Sequence, residues 1–348
     1  MSTLRLVQLN HPTRHRCVAL VEEPVLRLLS ATSIFHLASR AMRDGVPLSE
    51  LVTGLVSAET LDYSAVYEGR SKWRLLPAFD QPEDPFGCLV SGTGLTHKNS
   101  ALNRQMMHQA ASASSASGLP AAAQPTDSMR MYQWGLEGGS PGAGVIGVQP
   151  EWFYKGDGYC LRAHNEPLEV PAFGDDGGEE PEIAGIYIVD DAGVPRRIGL
   201  TTANEFSDHV MEKKNYLYLA PSKLRNCAIG PELVIGAGLD AGFDSMGGRV
   251  AIWRNGVRVW ETGIHTGEAH MAHSLENLEH HHFKYAGHRI PLQTHVHFFG
   301  ADAFSFGSGF GLLDGDVMEI SWEGMGRPLR NPLRQIRQKQ SLVKTIPL

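Results

Sequence analysis

The chain has 348 residues, 42% of them hydrophobic and 20% charged, with a formal net charge of −7. That length can bury a core without staples and suggests one large domain with a smaller companion. The acidic balance argues against a nucleic-acid partner, because phosphate binding draws on clustered Lys and Arg, but a bound cation would still admit an anionic substrate.

The opening stretch MSTLRLVQLNHPTRHRC carries charges and a proline before any long apolar run, so it does not read as a secretory signal. No run approaches the ~18 apolar residues of a membrane span, and no membrane partner is expected. Cys17, Cys88, Cys160 and Cys227 are scattered without a CxxC pair. Reduced thiols in a cytoplasmic protein are the expectation.

Residues 1–80 read as a small α/β region, with a strand at Arg16–Val21 and a helix near Ser33–Ala41. The turn-rich Pro77–Pro85 marks a boundary, leaving 81–348 as the larger unit. Phe86–Val90 is strand-like and leads into Ser91-Gly92-Thr93-Gly94. Residues 109–125 are mostly Ala and Ser and cannot bury enough surface to offset ordering, so they read as a mobile loop or lid, or as a plain linker.

After Gly144 short strand-like runs alternate with Gly, Pro and Asp: Ile183–Val189, Leu233–Ile235, Arg249–Arg254, Val257–Glu261, His295–Phe299 and Val317–Trp322. Asn255-Gly256 between two of them signals a hairpin. The pattern predicts a β-rich sandwich, barrel or roll, with a basic tail from Arg327 wrapping the surface.

Glu179-Glu180-Pro181-Glu182 leads into the Ile183–Val189 strand, where residues two apart share a face. Two carboxylates held together repel unless a proton or a cation sits between them, and hard divalent cations take such oxygen ligands. Asn204-Glu205 offers a third carboxylate on a neighbouring strand or return turn. Lys223 beyond it could grip a substrate carboxylate, or act as a base with a lowered pKa. His280-His281-His282 point in different directions on a helix and read as structural.

Taken in order, these features resemble the fumarylacetoacetate hydrolase superfamily over roughly residues 75–330. Leu75-Leu76-Pro77 is similar to the lead-in of its catalytic domain, and Val90–His97 to the strand and turn that follow. Pro150-Glu151-Trp152-Phe153-Tyr154-Lys155-Gly156 resembles the aromatic-Lys element. Glu180-Pro181-Glu182 resembles the E-x-E metal pair, and Thr202-Ala203-Asn204-Glu205 the strand that usually ends in Asn-Asp. Lys223 falls where the family has its active-site lysine. Thr266–Met271 with Ser274–Tyr285 resembles a sugar-acid branch, and Glu323-Gly324-Met325-Gly326 with Asn331 the closing segment. Where hydrolases carry a water-activating His and Glu, this chain has Ser100 and Asn103, with His97 one turn earlier.

The resemblance implies an α+β, β-rich mixed sandwich or roll for 81–348, behind a small N-terminal α/β region. It implies Mg2+, Mn2+ or another divalent cation on Glu180, Glu182 and Glu205. Lys223, Glu268 and His97 are then catalytic, and Ser100, Lys155 and Thr266 contact substrate. The implied activity is dehydration of a 2-keto-3-deoxy sugar acid such as 2-keto-3-deoxypentonate, in a homodimer whose partner is a small 2-oxo acid. The alternatives are hydrolysis of a 2,4-dioxo acid and non-catalytic sugar-acid binding.

Overall fold

The computed structural model describes residues 3–113, 125–239 and 243–348. Two sheets carry the architecture. The larger begins with an antiparallel meander of Leu4–His11, His15–Glu22, Val25–Leu29 and Val56–Asp62. Leu4–His11 then pairs with Cys227–Ile235, so the N-terminal strands continue into the main sheet. From there the order runs through Pro195–Asn204, Pro181–Val189, Thr294–Phe298, Cys88–Gly94 and Glu151–Asp157. The smaller sheet holds Val257–Thr266, Met246–Arg254, Val317–Trp322, Leu329–Gln335 and Leu168–Val170.

All nine residues of Pro181–Val189 are buried, as expected of a strand covered on both faces. Ala184, Ile186 and Ile188 point to a core shared with Ile34, Leu37 and Ala38 of the Ile34–Asp44 helix. Ile183, with Leu200 and Val234, points the other way, against Val250, Ile264, Ile320 and Trp322 of the small sheet. This period-two alternation fixes the register, since a one-residue slip would exchange the two faces. The helix starts where Ser33 Oγ accepts from His36 N and stops at Gly45, whose φ of 66° suits a left-handed cap.

The predicted strands are found with adjusted ends, and Asn255-Gly256 turns the hairpin at φ 52° and 77°. Two expectations need correction. The supposed basic tail is a strand over Leu329–Gln335, because its arginines meet acids of flanking strands: Arg330 Nε bonds Glu319 at 2.5 Å, and Arg334 pairs with Glu169. The helix Lys98–Ala113 also runs into the stretch expected to be loop, Ala being the best helix former. Residues 114–124 of that stretch lie outside the described residues. Among the described residues no helix is long and apolar enough to cross a membrane.

Candidate metal centre

Antiparallel pairing of the strands Pro181–Val189 and Pro195–Asn204 sets Pro181 opposite Asn204 and Glu182 opposite Ala203. One more backbone bond, Glu205 N to Glu180 O at 3.0 Å, extends the ladder past the strand ends. The two segments thus deliver Glu180, Glu182 and Glu205 to one place, with an oxygen from each within 4.8 Å of the others. All three are buried, Glu205 completely.

Crowded carboxylates out of water are costly, and their proton affinities show it. Burial, then Glu205 and Glu180, push Glu182 well above the usual carboxylate range. Burial and Glu180 raise Glu205. Burial would also raise Glu180, but Lys223 and His209 outweigh it and hold Glu180 well below its ordinary value. An oxygen-only donor set this tight and this charged fits a hard divalent cation, which the three carboxylates could hold.

Two buried lysines brace the cluster. Lys223, at the end of the Leu219–Lys223 helix, places Nζ 2.6 Å from both Glu180 Oε1 and Glu205 Oε2, and it donates to Ser207 Oγ at 2.9 Å. Lys155 Nζ reaches Glu205 Oε1 and the Glu205 carbonyl at 2.5 Å, and the Phe206 carbonyl at 2.7 Å. For Lys223, the carboxylates alone run against the lowered pKa expected beside a cation. Burial pulls its ammonium down, but Glu180, Glu205 and Glu212 more than compensate and hold it well above its usual value.

A further ring of groups was not legible in the sequence. His209 Nε2 lies 3.2 Å from Glu180 Oε1, with its ring stacked on Phe304 at 4.8 Å and Phe306 at 5.0 Å. Since Glu180 is ionised, that nitrogen carries the proton. Arg104 Nη1 donates to both oxygens of Glu151 at 2.8 and 3.0 Å, and Nη2 lies 3.3 Å from Glu212. Glu212 in turn lies 3.4 Å from Lys223 Nζ and accepts from Ser222 Oγ at 2.9 Å. An unbroken chain of charges thus links the Lys98–Ala113 helix to the carboxylates. The available signal was Arg104 standing four residues after Ser100, on the same helix face.

The remaining candidates are placed as follows. His97 is buried just before that helix. Its Nδ1 is 2.9 Å from Thr96 Oγ1 and its Nε2 3.2 Å from Thr266 Oγ1. Thr96 gives its own proton to the Phe299 carbonyl, so His97 Nδ1 is the protonated nitrogen and Nε2 accepts from Thr266. Burial pushes the His97 pKa down to about 3, leaving the ring neutral. Thr96 also sits beside Gly300, whose N–H donates to Glu182 Oε2 at 2.6 Å, so His97 reaches the cluster only through Thr96 and Gly300. Ser100 Oγ donates to the His97 carbonyl at 3.0 Å. Glu268 is exposed and accepts from Leu275 N at 2.7 Å, heading the Leu275–Phe283 helix. Its contacts are with that helix rather than with the carboxylates.

No protein-family model and no curated protein matches the chain. Among solved structures, a hexagonal crystal form of 2-keto-3-deoxyarabinonate dehydratase aligns with TM-score 0.68 at 19% identity, over 96% of this chain and 100% of that one. 2-Keto-3-deoxy-D-arabinonate dehydratase complexed with magnesium and 2,5-dioxopentanoate aligns with TM-score 0.68 at 18% identity, with the same coverage. 2-Hydroxyhepta-2,4-diene-1,7-dioate isomerase from Mycobacterium marinum follows at TM-score 0.57 and 16% identity, over 96% and 100%. The chain shares its α+β, β-rich fold with these enzymes, and its buried carboxylates could hold a divalent metal.

Proposed function

We propose that the protein is a divalent-metal-dependent dehydratase of a 2-keto-3-deoxy sugar acid such as 2-keto-3-deoxypentonate, giving a dioxo acid. The observation that carries this reading is the buried Glu180, Glu182 and Glu205 cluster braced by two buried lysines, on a fold shared with a dehydratase. Mg2+ or Mn2+ bound there supplies the positive charge that makes the protons beside a 2-oxo group acidic. Homodimer formation and a cytoplasmic setting belong to the same proposal, the first resting on the resemblance and the second on the scattered cysteines.

The chain's own residues divide the remaining work. Lys223 would take the C3 proton as the enolate forms and pass it to the C4 hydroxyl, which leaves as water. Lys155 anchors the Glu205 backbone and carboxylate together and so fixes one wall of the site. His209 and the Phe304 and Phe306 rings exclude water from one side of Glu180 and aim its carboxylate. Carbon–carbon hydrolysis would need a base to activate water in the helix that carries Ser100 and Asn103. There Ser100 is spent on a backbone carbonyl, and Asn103 packs against Gly307.

The test is to incubate chelator-stripped protein with Mg2+ and a panel of 2-keto-3-deoxy pentonates and hexonates, reading products by mass. Metal-dependent loss of one water, abolished by Glu182→Ala, is the expected result. Pyruvate released from 2,4-dioxo acids would replace this reading with hydrolysis. Metal-dependent binding without turnover of any substrate would leave a sugar-acid binder.

A further inference from the structure

Two of the four thiols meet in the fold. Cys160 Sγ lies 3.8 Å from Cys227 Sγ, and both cysteines are free. Cys160 closes the turn Gly158–Cys160, Cys227 opens the strand Cys227–Ile235, and Leu161 pairs with Cys227 in parallel register. The pair straddles the two lysine-bearing segments. On one side Cys160 packs on Gly156, the residue after Lys155, with its Cβ and Sγ 3.4 and 3.5 Å from where a Cβ there would stand. On the other, Cys227 follows Lys223 by four residues. Cys160 is half-buried, whereas Cys227 has no exposed surface.

We propose that Cys160 and Cys227 form a reversible oxidation site, closed to a disulfide by a peroxide, and that closure shifts the lysines bracing Glu180 and Glu205. Cys160, the accessible member, attacks first as its thiolate. Its sulfur takes one peroxide oxygen, the O–O bond breaks, and hydroxide leaves to become water, giving a sulfenic acid. Cys227 sulfur then attacks the Cys160 sulfur. The S–S bond forms, the S–O bond breaks, and the hydroxyl departs with the Cys227 proton as a second water. The two sulfurs have together given two electrons to the peroxide. Cys227, fully buried, cannot meet a peroxide itself, which leaves it the second role.

Closure needs the sulfurs to approach by about 1.8 Å to reach disulfide length. Cys160 closes the turn that directly follows the strand Glu151–Asp157, so that movement is passed to the backbone carrying Lys155. The lysine's bonds to Glu205, at 2.5 Å, have no slack to absorb it.

The full-length protein would be treated with hydrogen peroxide, its remaining thiols alkylated, and its digest read by mass. The expected product joins the Cys160 and Cys227 peptides, two hydrogens lighter than their sum. It should disappear with dithiothreitol and be absent in Cys160→Ser, while Cys17 and Cys88 remain alkylated. Direct passage of Cys160 to sulfinic acid, or a cross-link through Cys88, overturns the proposal. Calorimetry with Mn2+ reads the coupling: the oxidised protein should bind at least about tenfold more weakly, reversibly. Equal affinity before and after oxidation overturns it, and Cys160→Ser should keep its affinity through the peroxide treatment. The cross-link is read without substrate, so its outcome is independent of the dehydratase reading.

Discussion

The carboxylate centre and a layer of histidines lie on the same twelve-stranded sheet, yet they meet the difficulty of burying polar groups in opposite ways. In the first, Glu180, Glu205 and Glu212 face Lys223, and Arg104 backs Glu212, so charge is kept and matched by charge. In the second, His282 stacks on His297 at 4.3 Å between centroids, and its Nε2 meets His295 Nδ1 at 3.0 Å. Ser91 and Thr93 occupy the two nitrogens of His297, and Trp152 donates to His282. Burial and the neighbouring imidazoles push His295 and His297 down to about 3, so these rings stay neutral. A site of paired charge can exchange one cation for another, whereas a neutral hydrogen-bonded layer only holds the sheet together. The difference separates chemistry from scaffold more clearly than burial alone does.

The sharpest way to break that contrast is Glu182→Ala. Removal of one of three ligands is expected to weaken Mn2+ binding more than about a hundredfold by calorimetry, since even outer partners of a metal site carry 10–100-fold. Next in size is Lys223→Met, which leaves Glu180 and Glu205 without their shared ammonium. Without added metal it should lose about 3–5 kcal/mol in urea unfolding, and Mn2+ should restore part of that loss. No effect of metal on the stability of this variant would mean that the carboxylates are scaffold after all.

The histidine layer gives the third expectation, with the sign set by its lowered pKa values. Neutral imidazoles stabilise the fold fully above their ordinary 6.5, and that contribution fades as pH falls from 6.5 toward the folded value of about 3. Unfolding free energy should drop by roughly 2 kcal/mol per imidazole between about pH 7 and 4.5. His295→Gln should flatten that slope without altering Mn2+ affinity at neutral pH. The smallest effect belongs to Glu268→Gln, where losing the negative charge at a helix start costs about 1 kcal/mol or less. A loss of turnover in that variant with Mn2+ affinity intact would move Glu268 into the chemistry.

Much of this centre was legible because it is local in sequence. Glu180 precedes and Glu182 opens a strand of strong β character, and Glu205 follows the strand that pairs with it, so period and pairing together bring the three side chains close. Lys223 was legible from its order in the chain rather than from any local rule. Arg104, His209 and Glu212 were not, because each matters through a partner far along the chain: Arg104 meets Glu151, and His209 meets Glu180. The strand Leu329–Gln335 was hidden by Pro332 and by its basic composition, which becomes favourable only beside Glu319 and Glu169.

The hairpin that holds the ligands has its turn at the far end from them. Asp190 Oδ1 accepts from Ala192 N and Val194 N, and Gly193 at φ 76° finishes the bend, a full strand length away from Glu182 and Glu205. The segment is therefore built like a pair of tweezers, with its bend in solvent and its tips in the core. Residues added at the bend would lengthen the handle and leave the tips aligned, whereas one residue added within either arm would turn a tip outward. Insertions should therefore be tolerated at Asp190–Val194 and hardly at all between there and the three carboxylates.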